Sequence, residues 1–237
     1  MTSRLWAVGA VIPASNEEKT IDKCLRSVLS AAARCTRCES IWVVVVADCC
    51  SDRTVAIARR ALAGKGEVIE CSVHSPGSAR RIGVRAVLEH FRELEPKHIW
   101  LANTDADTHV PENWLDSHLT LADVNASGVA GIVELDPDEL RPDVAQLYHR
   151  TYKLSADGTH GHVHGANLGV RADAYLDVGG WRDVQVSEDH CLWGRLLRRG
   201  WSLRSPTSSV VLTSGRLYGR ARGGFADTLS RELHARE

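Results

Sequence analysis

The stretch IWVVVVADCCSD, residues 41–52, decides how this chain is read. From Ile41 to Ala47 every residue is apolar, and Val43 to Val46 are consecutive valines. A strand with one wet face alternates apolar and polar residues, whereas a strand covered by helices on both faces does not. The run therefore predicts a central parallel strand. Asp48 and Asp52 follow it, at the rim where that strand ends.

Similar units flank it. WAVGAVI (6–12) reads as another buried strand. RLWAVGAVIPAS also carries the Arg, short apolar run and small residues of a signal peptide, but a strand fits the following elements better. EEKTIDKCLRSVLSAAA (17–33) is amphipathic, with Ile21, Leu25, Val28, Leu29 and Ala32 on one stripe. Helix with an acidic first turn is expected over 51–62, strand at EVIEC (67–71), helix over 77–91, strand at HIWLAN (98–103) and helix over 112–124. This alternation predicts an α/β fold, a doubly wound and mostly parallel Rossmann-like sheet with helices on both faces. The 237 residues suit a single domain, with no repeat or linker in sight.

In such sheets ligands bind just beyond the carboxyl ends of the strands. PASNEE (13–18) follows the first strand, and its Ser15 or Asn16 can cap the next helix. ADCCSD (47–52) follows the second, HSPGSARR (74–81) the third, and TDAD (104–107) the fourth. Three acidic clusters and one basic cluster would thus share one edge. A lone D-x-D is weak, and Asp136-Pro137-Asp138 is the chain's own control, read as a cap before a helix over 139–153. Together, however, these clusters suit a metal-bound diphosphate. Carboxylates hold Mg²⁺ or Mn²⁺ alongside phosphate oxygens. Asp48 and Glu17 suit base and ribose hydrogen bonds, and Arg80 suits a phosphate or base.

The succession P-A-S-N-E-E, D-C-C-S-D, G-S-A-R-R and D-A-D resembles the family 2 glycosyltransferases of GT-A fold. HGANLGVRADAYLDVGGW (164–181) and SEDHCLWGRLLRRGW (187–201) extend the resemblance over roughly residues 6–206. It implies that residues 1–110 form a nucleotide-sugar half and 111–212 an acceptor half. Pro13, Ala14, Asn16 and Glu17 would line the nucleotide pocket, with Asp48 reading the base and Asp52 and Arg80 supporting it. Asp105 would face the ribose or the metal, and Asp107 would be the metal ligand. Asp189 would be the catalytic base beside Glu188, while His164, Gly165, Asn167, Gly180 and Trp181 would shape the acceptor pocket. The implied reaction is metal-dependent, inverting transfer of one sugar from a nucleotide-diphosphate donor to a hydroxyl. UDP is favoured, with GDP next.

Two alternatives stay open: a retaining GT-A hexosyltransferase acting on a small phosphorylated acceptor, and a non-catalytic nucleotide-binding module of the same fold. A nucleotidyltransferase or a dinucleotide oxidoreductase would want a glycine-rich loop after the first strand, and PASNEE lacks one.

The remaining signals are looser. His160, His162 and His164 would share one face of an extended strand, where a metal triad is conceivable. The resemblance to GT-A enzymes implies a further histidine metal ligand from the C-terminal part, for which His190 and His234 are the candidates. TSGRLYGRARGGFADTL (213–229) reads either as a lid placing Arg216, Arg220 or Arg222 on phosphates or as a solvated tail. The net charge of −1 argues against nucleic acid as a partner. No apolar stretch is long enough to span a membrane, so the acceptor is expected to be soluble or at a membrane surface. Seven cysteines, an odd number, with one CxxC at Cys35 and Cys38, point to a reducing cytoplasm rather than to a disulfide framework or a zinc ribbon.

Overall fold

A computed structural model of the chain describes residues 5–137, 155, 157–184 and 186–215. The chain runs β1 (Trp6–Ala14), α1 (Ile21–Arg34), β2 (Cys38–Asp48), α2 (Thr54–Leu62), β3 (Gly66–Cys71), α3 (Pro76–His90), β4 (Ile99–Asn103), β5 (Thr108–His109) and α4 (Trp114–Asp123). Then come β6 (Gly128–Ala130), β7 (Ile132–Leu135), β8 (Leu168–Arg171), α5 (Ala172–Asp177), α6 (Glu188–Arg198), β9 (Leu203–Arg204) and β10 (Val210–Thr213). The expected helix over 139–153 lies outside the described residues.

Seven strands form the main sheet in the order β3-β2-β1-β4-β8-β6-β9. The first four run parallel, whereas β8 runs antiparallel to both β4 and β6. A small second sheet, β5-β10-β7, lies beside it.

The four valines explain why β2 is central. Val43 and Val45 belong to the core under α1, α2 and α4, and Val44 and Val46 to the core under α3, α5 and α6. All four are fully buried, each burial being worth about 1.5–3 kcal/mol. α3 crosses β1 at close range, because a Cβ on Gly9 would fall 2.1 Å from Val87 and one on Gly83 would fall 2.5 Å from Val11. α3 thus lies across β1 and β2.

All seven cysteines are free thiols. Burial pushes the Cys35 thiol up to about 11 and the Cys38 thiol up to about 12, so the CxxC pair sits as inert packing.

Candidate active site

Two loops at the rim are stitched together by side chains. Asn16 adopts a left-handed conformation with φ 54°, and the N-cap of α1 is Thr20 rather than Ser15 or Asn16, the two candidates in the sequence. Asn16 Oδ1 instead accepts from the backbone N–H groups of Ser51 and Asp52 in the next loop. Asp52 lies before α2 rather than in its first turn. Its Oδ1 accepts from the Thr54 N–H and hydroxyl, and its Oδ2 accepts from the Glu18 N–H. Thr54 Oγ1 in turn accepts from the Glu17 N–H at 2.7 Å. Thr54 was invisible as a site residue in the sequence.

Asp48 is buried at the end of β2. Its carboxylate accepts from the N–H groups of Val73, His74 and Ser75, at 2.8, 3.1 and 3.1 Å, and so holds the β3–α3 loop. Beside it the Cys49 thiol lies 3.3 Å from the His74 ring. Both residues have positive φ, so this corner of the rim is tightly specified. Ser75 then caps α3 by accepting from the Ser78 N–H, with Pro76 in the first turn.

Arg80 lies at the centre. Its side chain is 3% exposed; Nη2 donates to Asp105 Oδ1 and Nη1 to Glu188 Oε1, both at 2.5 Å. The guanidinium carbon sits 5.4 Å from the centroid of the Trp181 ring. Burial works against the arginine's charge, but Asp105, Glu188 and Asp189 outweigh it and hold the group protonated beyond its ordinary range. Glu188 and Asp189 occupy the first turn of α6, where the helix dipole favours acids. Asp189 Oδ2 accepts from the Gly165 N–H at 3.0 Å and Oδ1 from its neighbour's N–H at 2.7 Å.

Four of the five residues expected in the acceptor pocket, Gly165, Asn167, Gly180 and Trp181, are buried. Asn167 is fully buried. Its Oδ1 accepts from Trp114 Nε1 and His118 Nε2, and its Nδ2 donates to the carbonyls of Ile132 and Ser209. All four hydrogen-bonding positions of the amide are used, which leaves none for a ligand. Trp181, 1% exposed, is the floor beneath Arg80. Gly180, at φ 61°, turns the chain where a Cβ would meet the Tyr175 ring at 2.5 Å, and its carbonyl accepts from Arg195. Among the expected acceptor residues, Gly165 lies beside Asp189 and Arg80, and His164 is the residue before it.

His160, His162 and His164 do share a face, with successive ring centroids 6.0 Å apart. Residues 161–164 have no strand pairing, and His160 sits at the isolated bridge between Thr159 and Pro206. Burial, followed by His162, His190 and His160, drives His164 down to about 3, and burial drives His118 down to about 4. Both stay neutral in the fold below the ordinary histidine value of 6.5, while the unfolded chain takes up their protons. Stability is therefore full above pH 6.5 and falls as the pH drops towards 4, with His118 alone contributing a loss of about 3 kcal/mol. Urea unfolding midpoints between pH 7.5 and 4.5 check this. The decline is expected to begin above the carboxylate range; a flat profile down to pH 5 contradicts it.

Asp105 and Asp107 are part-exposed on either side of buried Ala106. Among the described residues no set of three or more His, Cys, Asp or Glu side chains converges as a metal cage. Two carboxylates fit a hard cation that takes its other ligands from phosphate oxygens and water. Asp107 is also tied to β10, since Thr213 Oγ1 donates to its Oδ1 at 3.4 Å. Thr213 therefore belongs to the sheet and not to a lid. His234, Arg216, Arg220 and Arg222 fall outside the described residues.

The mixed, mainly parallel seven-stranded sheet flanked by helices is the GT-A fold of glycosyltransferases. The chain belongs to glycosyl transferase family 2, whose sequence signature matches residues 10–179. A mannosyltransferase from Pyrobaculum calidifontis, solved with GDP-Man and Mn²⁺, superposes with a TM-score of 0.68 at 19% identity, covering 99% of this chain and 63% of that one. S. aureus TarS 1–349 with UDP-GlcNAc gives 0.66 at 14% identity, covering 96% and 65%. GalNAc-T7 with UDP, GalNAc and Mn²⁺ gives 0.64 at 14%, covering 89% and 44%. The chain thus spans less than two thirds of each of these proteins. No curated protein sequence matches it significantly.

Proposed function

We propose that this protein is a metal-dependent, inverting glycosyltransferase that moves one sugar from a nucleotide-diphosphate sugar, UDP-linked by preference, to a hydroxyl acceptor. The observation that carries the reading is the chain Asp105–Arg80–Glu188, which brings the D-A-D turn and the E-D helix into one crevice. The mannosyltransferase and TarS structures, solved with GDP-Man and UDP-GlcNAc, lend support to a nucleotide-sugar donor.

Pro13, Ala14, Asn16 and Glu17 line the nucleotide, Asp48 reads its base, and Asp52 and Arg80 keep that pocket in shape. Asp107, with Asp105, holds Mg²⁺ or Mn²⁺. When bound, such a cation neutralises charge on the departing diphosphate. Asp189 takes the proton of the acceptor hydroxyl as its oxygen attacks the anomeric carbon, and the bond to the diphosphate breaks on the opposite face. The Gly165 and His190 N–H groups fix the carboxylate for that task. His164, neutral and next in sequence to Gly165, lines the acceptor side.

No described helix is long and apolar enough to cross a membrane. We place the protein in the cytoplasm, acting on an acceptor that is free or at a membrane surface.

Calorimetric titration of UDP, GDP and CDP, each with and without Mn²⁺, tests the donor site. One nucleotide is expected to bind in a Mn²⁺-dependent way, and Asp107→Ala to lose that dependence. Binding of no nucleotide would remove the donor reading and favour a non-catalytic module.

A further inference from the structure

Arg80 and Arg81 are adjacent, yet only Arg81 meets solvent. The Arg80 guanidinium lies over the Trp181 ring, and a Cβ on Gly165 would stand 2.5 Å from its Nη2. The missing side chain of Gly165 is what makes room for it. The first turn of α3 also abuts α6, since a Cβ on Gly77 would meet Glu188 Cβ at 3.1 Å and the Arg182 carbonyl at 2.9 Å. Three elements far apart in sequence (the start of α3, the turn after β4 and the head of α6) therefore close around one cation.

We propose that Arg80 is a positioning residue that ties the donor-side carboxylate Asp105 to Glu188, so that Glu188 serves the arginine and Asp189 alone is left as the base. This rests on the reading of the crevice given above. A guanidinium suits the task because its rigid fork makes two directional bonds at once and keeps its charge when buried. A lysine ammonium in the same place has no such fork.

The tie has two consequences. Asp105 Oδ1 is already neutralised, so Asp107 is the principal cation ligand and Asp105 an adjustable one. The tie also reaches the base: Gly165 touches Arg80 on one side and donates its N–H to Asp189 Oδ2 on the other. Displacing the arginine moves the backbone that orients the base.

The coupling makes an unusual demand. Glu188 lies on the acceptor side, yet changing it must alter the affinity of the donor side for a cation. With Glu188→Gln the whole charge of Arg80 falls on Asp105. Mn²⁺ alone, titrated by electron paramagnetic resonance into the full chain, is then expected to bind about 5–10-fold more weakly. In an Arg80→Lys background the same substitution is expected to change affinity by only about two-fold, the residue of a general field effect. A purely structural role for Glu188 would lower the melting temperature without this dependence on Arg80.

An unchanged Mn²⁺ affinity in Glu188→Gln, with wild type binding normally, overturns the proposal. If wild type binds no Mn²⁺, it is the metal reading that fails, and the tie is judged by urea unfolding of Asp105→Asn, Glu188→Gln and the double variant. Asp105 and Glu188 each bond Arg80, so the double variant is expected to deviate from additivity by about five-fold in the unfolding constant. Additive effects overturn the tie by themselves.

Discussion

Asp189→Asn is expected to lower sugar transfer by about 10²–10⁴-fold, the usual contribution of a positioned general base. The amide keeps the size of the carboxylate, and its one oxygen can still accept from Gly165 at the loss of the bond from the His190 N–H, so the crevice should stay assembled. Nucleotide affinity should change little, because Asp189 lies on the acceptor side, on α6. The measurement is kcat for transfer alongside Kd for the nucleotide that calorimetry selects. A large loss of kcat at constant Kd identifies the base. Retained turnover points to the retaining mechanism, which needs no base at this position. Glu188→Gln provides the internal contrast. It stands next in sequence and is equally acidic, but its oxygen is held by Arg80, so its effect should run through cation affinity rather than through the proton.

The second large effect concerns stability. Asn167→Ala is expected to cost about 3–5 kcal/mol, because it leaves the Trp114 and His118 N–H donors unpaired in the core and removes a bond to each of the Ile132 and Ser209 carbonyls. Asn167 fastens α4, β7 and the approach to β10 together, and its own carbonyl accepts from the Gly131 N–H. Asn167→Asp should do no better, since an ionised carboxylate keeps the acceptors but loses both donors. Urea unfolding gives the answer. A loss below about 1 kcal/mol would mean that water or side-chain shifts replace the amide readily, against the expectation for a buried hub.

The local ends of the elements show where sequence reasoning stops. Asn16 and Asp52 were both legible as rim residues, yet Asn16 serves the next loop rather than its own helix start, and Asp52 serves both the start of α2 and the loop before α1. Short polar side chains reach any N–H within range, and only the folded path of the chain determines which N–H that is.

The parallel half of the fold was contained in the sequence alone. The valines of β2 have no polar neighbour to turn towards water, so both their faces must be covered, and the order of strands and helices around them then leaves the acids and Arg80 at one edge. What the tertiary structure decided is which of those residues meet. β8 enters antiparallel beside β4, which no local pattern announces, and it brings Gly165 and Asn167 beneath the crevice. Arg80 and Arg81 are chemically equivalent letters, but a helix turns by roughly 100° per residue, so one guanidinium is enclosed and the other solvated. Trp181 and Asn167 fit an acceptor pocket by motif and are core by position. Burial and bond partners are set by contacts between distant segments, and those exist only once the chain has closed on itself.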